Sequence, residues 1–243
     1  MGQVALIMAK ITNKQVDKEM SKTTEFFTDI CINKLSWWIS VLFMIGASLF
    51  ALACVLFLQD FSNVFLNGIV FFVGSIFFTS AAYCQYFQVI NSSLTINNKN
   101  KKIIWFTFHS TNKGYWTAFT QWVGTLFFNV NTFDGLLNLG WFEQDLLIWV
   151  PNIIGSLLFQ CAGTLAMFDI SSKWWKSIKN LNWWVAFINF LGCVAFIFSA
   201  CLAFFVPEPL ITLAKIATSF TLVGAICFFA SAYLSLPVNK QLK

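Results

Sequence analysis

Six stretches of about twenty apolar residues set the terms for everything this chain can fold into. They run at about Trp37–Leu58, Val64–Val89, Tyr115–Phe133, Leu146–Phe168, Trp183–Val206 and Leu210–Leu236. A backbone crossing hydrocarbon finds no water to bond, so about 20 consecutive apolar residues must satisfy their own N–H and C=O groups as a helix. Composition points the same way, because only 10% of the 243 residues are charged, against roughly 25% in an average soluble domain. So little charge excludes a soluble enzyme, a disordered chain and a nucleic-acid binder. Arg is absent altogether, and with it the usual bidentate reader of phosphates and base edges. The expected fold class is an all-α integral membrane protein with six transmembrane helices.

The charges sort by loop. Lys10, Lys14, Lys18, Lys22 and Lys34 lie in an N-terminal arm, residues 1–35, and Lys99, Lys101, Lys102 and Lys113 follow the second stretch. Lys173, Lys176 and Lys179 follow the fourth, and Lys240 and Lys243 belong to the tail, residues 238–243. The opposite loops carry Asp60, Asp134, Glu143, Asp145 and Glu208, with Lys215 as their one cation. Cytoplasmic loops collect Lys during insertion, so both termini are expected in the cytoplasm. That face should attract anionic lipid head groups, at about 1 kcal/mol per Lys near the surface. Trp37, Trp38, Trp105, Trp116, Trp174, Trp175, Trp183 and Trp184 fall at the inner boundary, Trp141 and Trp149 at the outer one, and Trp122 in mid-span. The polar arm does not read as a cleavable signal. Its lysines at four-residue spacing fit either an amphipathic helix on the inner leaflet or a solvated tail. Leu6 occupies the place where a myristoylation signal needs Ser or Thr.

The membrane domain, residues 36–237, repeats one helical hairpin three times, at about 36–91, 114–169 and 182–237. Trp37-Trp38, Tyr115-Trp116 and Trp183-Trp184 are each followed, eight residues after the second aromatic, by Gly46, Gly124 and Gly192. Phe50, Phe128 and Phe196 come four residues later; the returning helices carry Gly74 with Phe78, Gly155 with Phe159, and Gly224 with Phe228. Each repeat contains two spans, so the three are parallel, and a six-helix bundle with rough three-fold pseudosymmetry is expected. The six glycines fall near mid-bilayer by helix rise, where small residues let backbones approach.

Trp38–Phe50, read as Trp-x-x-x-x-Phe-x-Ile-Gly-Ala-x-x-Phe, returns as Phe-Phe-Val-Gly-Ser-x-x-Phe at Phe71–Phe78. This unit resembles the two-helix YrhK-like module of bacterial membrane proteins, with Ala47 in place of the Ser that follows Gly there. The span from Trp37 to Leu236 is similar to larger uncharacterised bacterial membrane proteins built from such hairpins. The resemblance implies the fold and a bacterial inner membrane; it implies no reaction.

Several membrane chemistries lack their residues. Haem between helices needs His at membrane depth, yet the one His, His109, falls in a loop. A zinc cluster needs more ligands than that. The seven Cys contain no Cys-x-x-Cys, and a lone thiol in a span serves as a small apolar packer. Proton pumps use intramembrane carboxylates; here the acids lie in loops, in the arm or at span ends. No catalytic residue, metal or cofactor is expected, and the chain does not read as an enzyme.

What remains is neutral polarity near the glycines. Gln121 and Asn189 each stand three residues before their glycine, and Asn152 and Thr221 hold the same place on the returning helices. Asn129 and Gln160 come five after theirs. One reading has these groups bond each other across helices. The other makes them a pocket between the second and third hairpins, opening outward, with Pro151 freeing backbone groups beside Asn152. Lys215 is expected to snorkel to the head groups or to pair with Glu208 or Asp134. The function expected is binding or passage of a small neutral or lipid-like molecule; the alternative is an accessory subunit packed against a partner protein or another copy of the chain.

Overall fold

The computed structural model describes residues 34–61, 63–97, 104–108, 112–170, 180–204 and 211–236. The N-terminal arm, His109, Glu208, the lysines at 99–102 and 173–179 and the tail lie outside them. Six long helices make up nearly all of what is described, and no strand occurs among the described residues. α1 is Lys34–Leu58, α2 Val64–Asn97, α3 Lys113–Asp134, α5 Leu181–Leu202 and α6 Ile211–Leu234. Between α3 and α5 the fourth helix is composite. A turn at Trp141–Gln144 and a π-helical segment at Asp145–Trp149 lead into Val150–Ile170, together called α4. Five of the six are long and apolar enough to cross a membrane, α3 being the exception.

Local chemistry explains most of the boundaries. Asn63, Asn112 and Asn180 stand just before α2, α3 and α5, and their side-chain oxygens accept the N–H of Leu66, Tyr115 and Asn182. Each thus satisfies one of the donors that a helix start leaves without an intrahelical partner. α2 continues past the expected Val89 to Asn97, because Asn91 and its neighbours are polar without breaking a helix. α5 stops at Leu202, short of Val206, with the Ala203 N–H shared between the Ser199 and Ala200 carbonyls. The π segment directly precedes Pro151, whose missing N–H interrupts regular α-helical bonding.

α1 ends differently. Asp60 has φ 56°; its N–H donates to Phe57 O (3.1 Å) while the Phe61 N–H donates to Leu56 O (3.0 Å). This paired closure usually places Gly in the left-handed position, where a side chain costs roughly 1–2 kcal/mol. Here the carboxylate accepts a hydrogen bond from Lys215 Nζ at 2.8 Å. Among the described residues Lys215 therefore pairs with the end of α1 and not with Asp134; Glu208, the other partner expected for it, lies outside them. Both side chains are partly exposed, so the pair is worth at most about 1 kcal/mol; it joins α6 to α1 more than it strengthens either.

The helices meet through glycine and phenylalanine. A Cβ built on Gly46 would stand 3.0 Å from both the Gly74 carbonyl and the Phe78 ring, and one on Gly74 would stand 2.8 Å from Phe50. The same reciprocal contact joins α3 to α4, where Gly124 faces Phe159 at 2.8 Å and Gly155 faces Phe128 at 3.3 Å. It joins α5 to α6 again, Gly192 facing Phe228 at 2.8 Å and Gly224 facing Phe196 at 2.6 Å. Each glycine thus receives the ring that stands four residues beyond the partner's glycine.

The six rings then close on one another. Centroids are 5.3 Å apart for Phe50–Phe78, 5.9 Å for Phe78–Phe228 and 5.8 Å for Phe228–Phe159. They are 5.0 Å apart for Phe159–Phe128, 5.6 Å for Phe128–Phe196 and 6.3 Å for Phe196–Phe50. All but the last cross at 74–87°, the edge-to-face geometry worth about 0.5–1.5 kcal/mol per pair beyond burial. One ring from every helix, each no more than 5% exposed, seals the centre of the bundle.

Enlarging a glycine at this level should therefore loosen the whole assembly. Gly224→Ala is expected to cost about 1–3 kcal/mol, the range for overpacking a tight contact. Gly140→Ala, whose Cβ would meet only Glu143 Oε2 at 3.8 Å, should stay within about 0.5 kcal/mol of the parent. Unfolding of the two variants in detergent measures the difference.

Candidate functional site

Call the end of the bundle where α1, α3 and α5 begin the entry end, and the other the return end. At the return end, side chains tie neighbouring helices together. Ser75 Oγ and Thr132 Oγ1 are 2.9 Å apart across α2 and α3, and Asn131 Nδ2 donates to the Ile148 carbonyl inside the π segment of α4 (2.9 Å). Trp149 Nε1 donates to Ala200 O on α5 (2.8 Å), Ser199 Oγ and Thr221 Oγ1 lie 2.6 Å apart across α5 and α6, and Lys215 reaches Asp60. These ties, with the short connection from α1 to α2, run right around the bundle.

At the entry end the helices part around a cavity of about 450 Å³, within the size range of small-molecule sites. Its walls follow one register. Ser36, Gly114 and Asn182, lining the mouth, each stand ten residues before their helix's glycine. Ile39, Thr117 and Val185 follow seven before, and Phe43, Gln121 and Asn189 three before. On the returning helices Gln85, Ala166 and Ser235 stand eleven after the glycine, and Gln88 and Asp169 fourteen after. Phe78, Phe159 and Phe228 form the floor, so the cavity ends on the same rings that seal the centre. From Ser36 to the level of Gly46 is about 15 Å along the helix.

Five carboxamides (Gln85, Gln88, Gln121, Asn182 and Asn189) and five hydroxyls (Ser36, Ser40, Thr117, Ser231 and Ser235) line this space. Three hydroxyls donate to carbonyls of their own helices, Ser40 to Ser36, Thr117 to Lys113 and Ser235 to Ser231. Ser231 donates across to Val185 O on α5 (2.9 Å). Gln88 Nε2 donates to Ser36 Oγ at 2.7 Å, joining α2 to α1. Among the described residues Asp169 supplies the single carboxyl group of the lining, and no Lys belongs to it. Among the described residues no group of three His, Cys, Asp or Glu could hold a metal ion. The carboxamides and hydroxyls offer hydrogen-bond donors and acceptors from five of the six helices to a common space.

Of the residues expected to form a site, Gln121 and Asn189 line the cavity. The other five stand elsewhere. Thr221 spends its hydroxyl on Ser199 and Ala217 O, and Lys215 spends its ammonium on Asp60. Gln160 Nε2 lies 3.4 Å from Thr164 Oγ1 one turn along α4, with its Oε1 buried and unpartnered. Asn129 Oδ1 is likewise buried and unpartnered, and Asn152 is half-buried on α4. The pocket expected to open outward, between the second and third hairpins, is instead a cavity at the opposite end shared by all six helices. The reason is physical: polar side chains at the return end bond across helices and close it. Ser36, Gln85, Gln88, Asn182 and Asp169, which also line the cavity, are not among the residues expected to form a site. Their common distance from the glycines is the signal that marks them.

Comparison with protein-family models, with curated proteins and with solved structures finds no match to this chain. The geometry itself is open to test. Gln121→Cys and Asn189→Cys are expected to react with small water-soluble thiol reagents over the background of the native cysteines. Thr221→Cys and Asn152→Cys are expected to stay at background. Equal reactivity of all four would place water in both halves.

Proposed function

We propose that this chain is a six-span integral membrane protein, built from three parallel hairpin repeats, that binds a small uncharged molecule in the cavity at its entry end. The observation that carries the reading is the lining: five carboxamides over a floor of three phenylalanines, with one carboxyl group and, among the described residues, no cation. Amides both donate and accept, so they suit a ligand with mixed hydrogen-bonding groups and no net charge. The phenyl floor suits an apolar face.

Binding is favoured over passage by the ring. Between the cavity and the return end stand six rings in mutual contact, and a solute crossing there would have to part them against the glycine contacts. Lys34 and Lys113 open two of the three helices at the cavity mouth, and the Lys-rich loops belong to the same end. By the distribution of Lys, that mouth faces the cytoplasm. The first hairpin's resemblance to the YrhK-like module enters this proposal for architecture alone.

A bound ligand stabilises the folded state by mass action, by about 2.7 kcal/mol at a hundredfold excess over Kd. A screen of uncharged hydrogen-bonding compounds by thermal shift in detergent should therefore find stabilisers. For such a compound, Gln121→Leu and Asn189→Leu are each expected to weaken binding about tenfold, the worth of one buried hydrogen bond, while Asn152→Leu leaves it unchanged. Stabilisation that survives Gln121→Leu and Asn189→Leu together would remove the cavity from the account.

A further inference from the structure

The residues Ile104–Phe108, between α2 and α3, are not helical, yet side chains of α2 bond half of their ten backbone N–H and C=O groups. Asn91 on α2 clamps Ile104 from both sides, its Nδ2 donating to Ile104 O (2.8 Å) and its Oδ1 accepting the Ile104 N–H (3.0 Å). The Tyr86 hydroxyl does the same for Thr107, donating to its carbonyl (2.8 Å) and accepting its N–H (3.1 Å). Tyr83 OH donates to Trp105 O at 3.3 Å. Five side-chain hydrogen bonds on three of the five residues are unnecessary in water, which would supply them. In or near hydrocarbon they are required, because an unmet N–H or C=O there has no other partner.

The side chains agree with that setting. Trp105, Phe106 and Phe108 are 67%, 62% and 65% exposed, although Trp105 lies against Phe87 and Phe106 against Tyr86, with centroids 5.3 and 5.9 Å apart. Tyr86 stands twelve residues beyond Gly74, about 18 Å along the helix, and half the hydrocarbon thickness is about 15 Å. The segment thus runs where acyl chains give way to head groups, the level at which aromatic side chains anchor proteins. In sequence it is bracketed by Lys99, Lys101 and Lys102 before and Lys113 after, with no acidic residue between Asp60 and Asp134.

We propose that Ile104–Phe108 is a strap that docks onto the surface of a leaflet rich in anionic lipid, its aromatic side chains set at the head-group boundary and its lysine flanks on the lipid phosphates. The inference goes beyond ligand binding and does not depend on what the cavity holds. Its occupant is the lipid surface, because the exposed side chains are aromatic and the charge that flanks them in sequence is all of one sign.

The test uses the full chain in vesicles of phosphatidylcholine with or without phosphatidylglycerol, carrying bromine near the top or near the end of the acyl chains. The fluorescence difference between the parent and Trp105→Phe isolates Trp105. Shallow bromine is expected to quench that difference signal at least twice as strongly as deep bromine. The quenching should grow with phosphatidylglycerol, and the dependence should vanish when Lys99, Lys101, Lys102 and Lys113 are all changed to Gln. Asn91→Ala, which removes the clamp without touching an aromatic, should reduce the shallow preference. A Trp105 signal quenched by aqueous iodide and not by bromolipid overturns the proposal in favour of water. A signal quenched by neither overturns it in favour of a protein cover.

Discussion

A phenylalanine lying on a glycine is the contact from which the rest of this structure follows. Helices in lipid gain little by burying apolar surface, since acyl chains are as apolar as Leu, so association depends on how closely backbones can approach. The six glycines bring their helices near enough that an added Cβ would meet a ring or a carbonyl at 2.6–3.3 Å. Because each ring comes from four residues beyond the partner's glycine, the contact is made twice in each of the pairs α1/α2, α3/α4 and α5/α6. The rings are then all directed to one level. Six of them meet there and hold six helices at a common distance, without any polar group or charge.

A clamp at one level leaves both ends free to part, and the ends carry different side chains. At the return end, polar contacts link α2 to α3, α3 to α4, α4 to α5, α5 to α6 and α6 to the end of α1. At about 0.6 kcal/mol for an average cross-helix hydrogen bond in a membrane, such a circuit contributes a few kcal/mol in all. At the entry end Ser40, Thr117 and Ser235 turn back onto their own helices. The bonds that do cross the cavity wall there, Gln88 to Ser36 and Ser231 to Val185, lie within α1/α2 and α5/α6. One end is therefore drawn shut and the other stays apart around a cavity. Cavity and fold thus share one set of rings, which are both the seal of the bundle and the cavity's floor.

How much of this is legible in the sequence depends on the range of each interaction. The helices and the glycine-to-phenylalanine spacing can be read, because both are local and recur. Gln121 and Asn189 can be picked out as polar groups near the glycines for the same reason. Whether a polar side chain is spent or available cannot be read, because its partner lies on another helix. Thr221 and Gln121 look alike by count along the chain, yet one faces Ser199 at 2.6 Å and the other lines the cavity. Lys215 shows the limit most clearly: its carboxylate partner lies 155 positions away and is presented by a left-handed turn that nothing in the local sequence announces.

α3 brings these strands together. It is the one long helix that falls short of a membrane span by hydropathy, since it carries Gln121, Asn129, Asn131 and four Thr. A hydropathy window counts those groups as if each met its surroundings alone. In the fold Thr117 donates to Lys113 O, Thr120 to Trp116 O and Thr125 to Trp122 O. Asn131 donates to Ile148 O, and Thr132 bonds both Phe128 O and Ser75. Gln121 faces the cavity. Most polar side chains of α3 are thus answered by a carbonyl, a neighbouring helix or the cavity, which meets most of the cost that hydropathy assigns to them; the Asn129 Oδ1 and the Tyr115 hydroxyl are buried exceptions. That accounting supports reading α3 as a sixth crossing. It also gives the reason for its polarity: α3 supplies ties toward the return end and polar cavity lining toward the entry end.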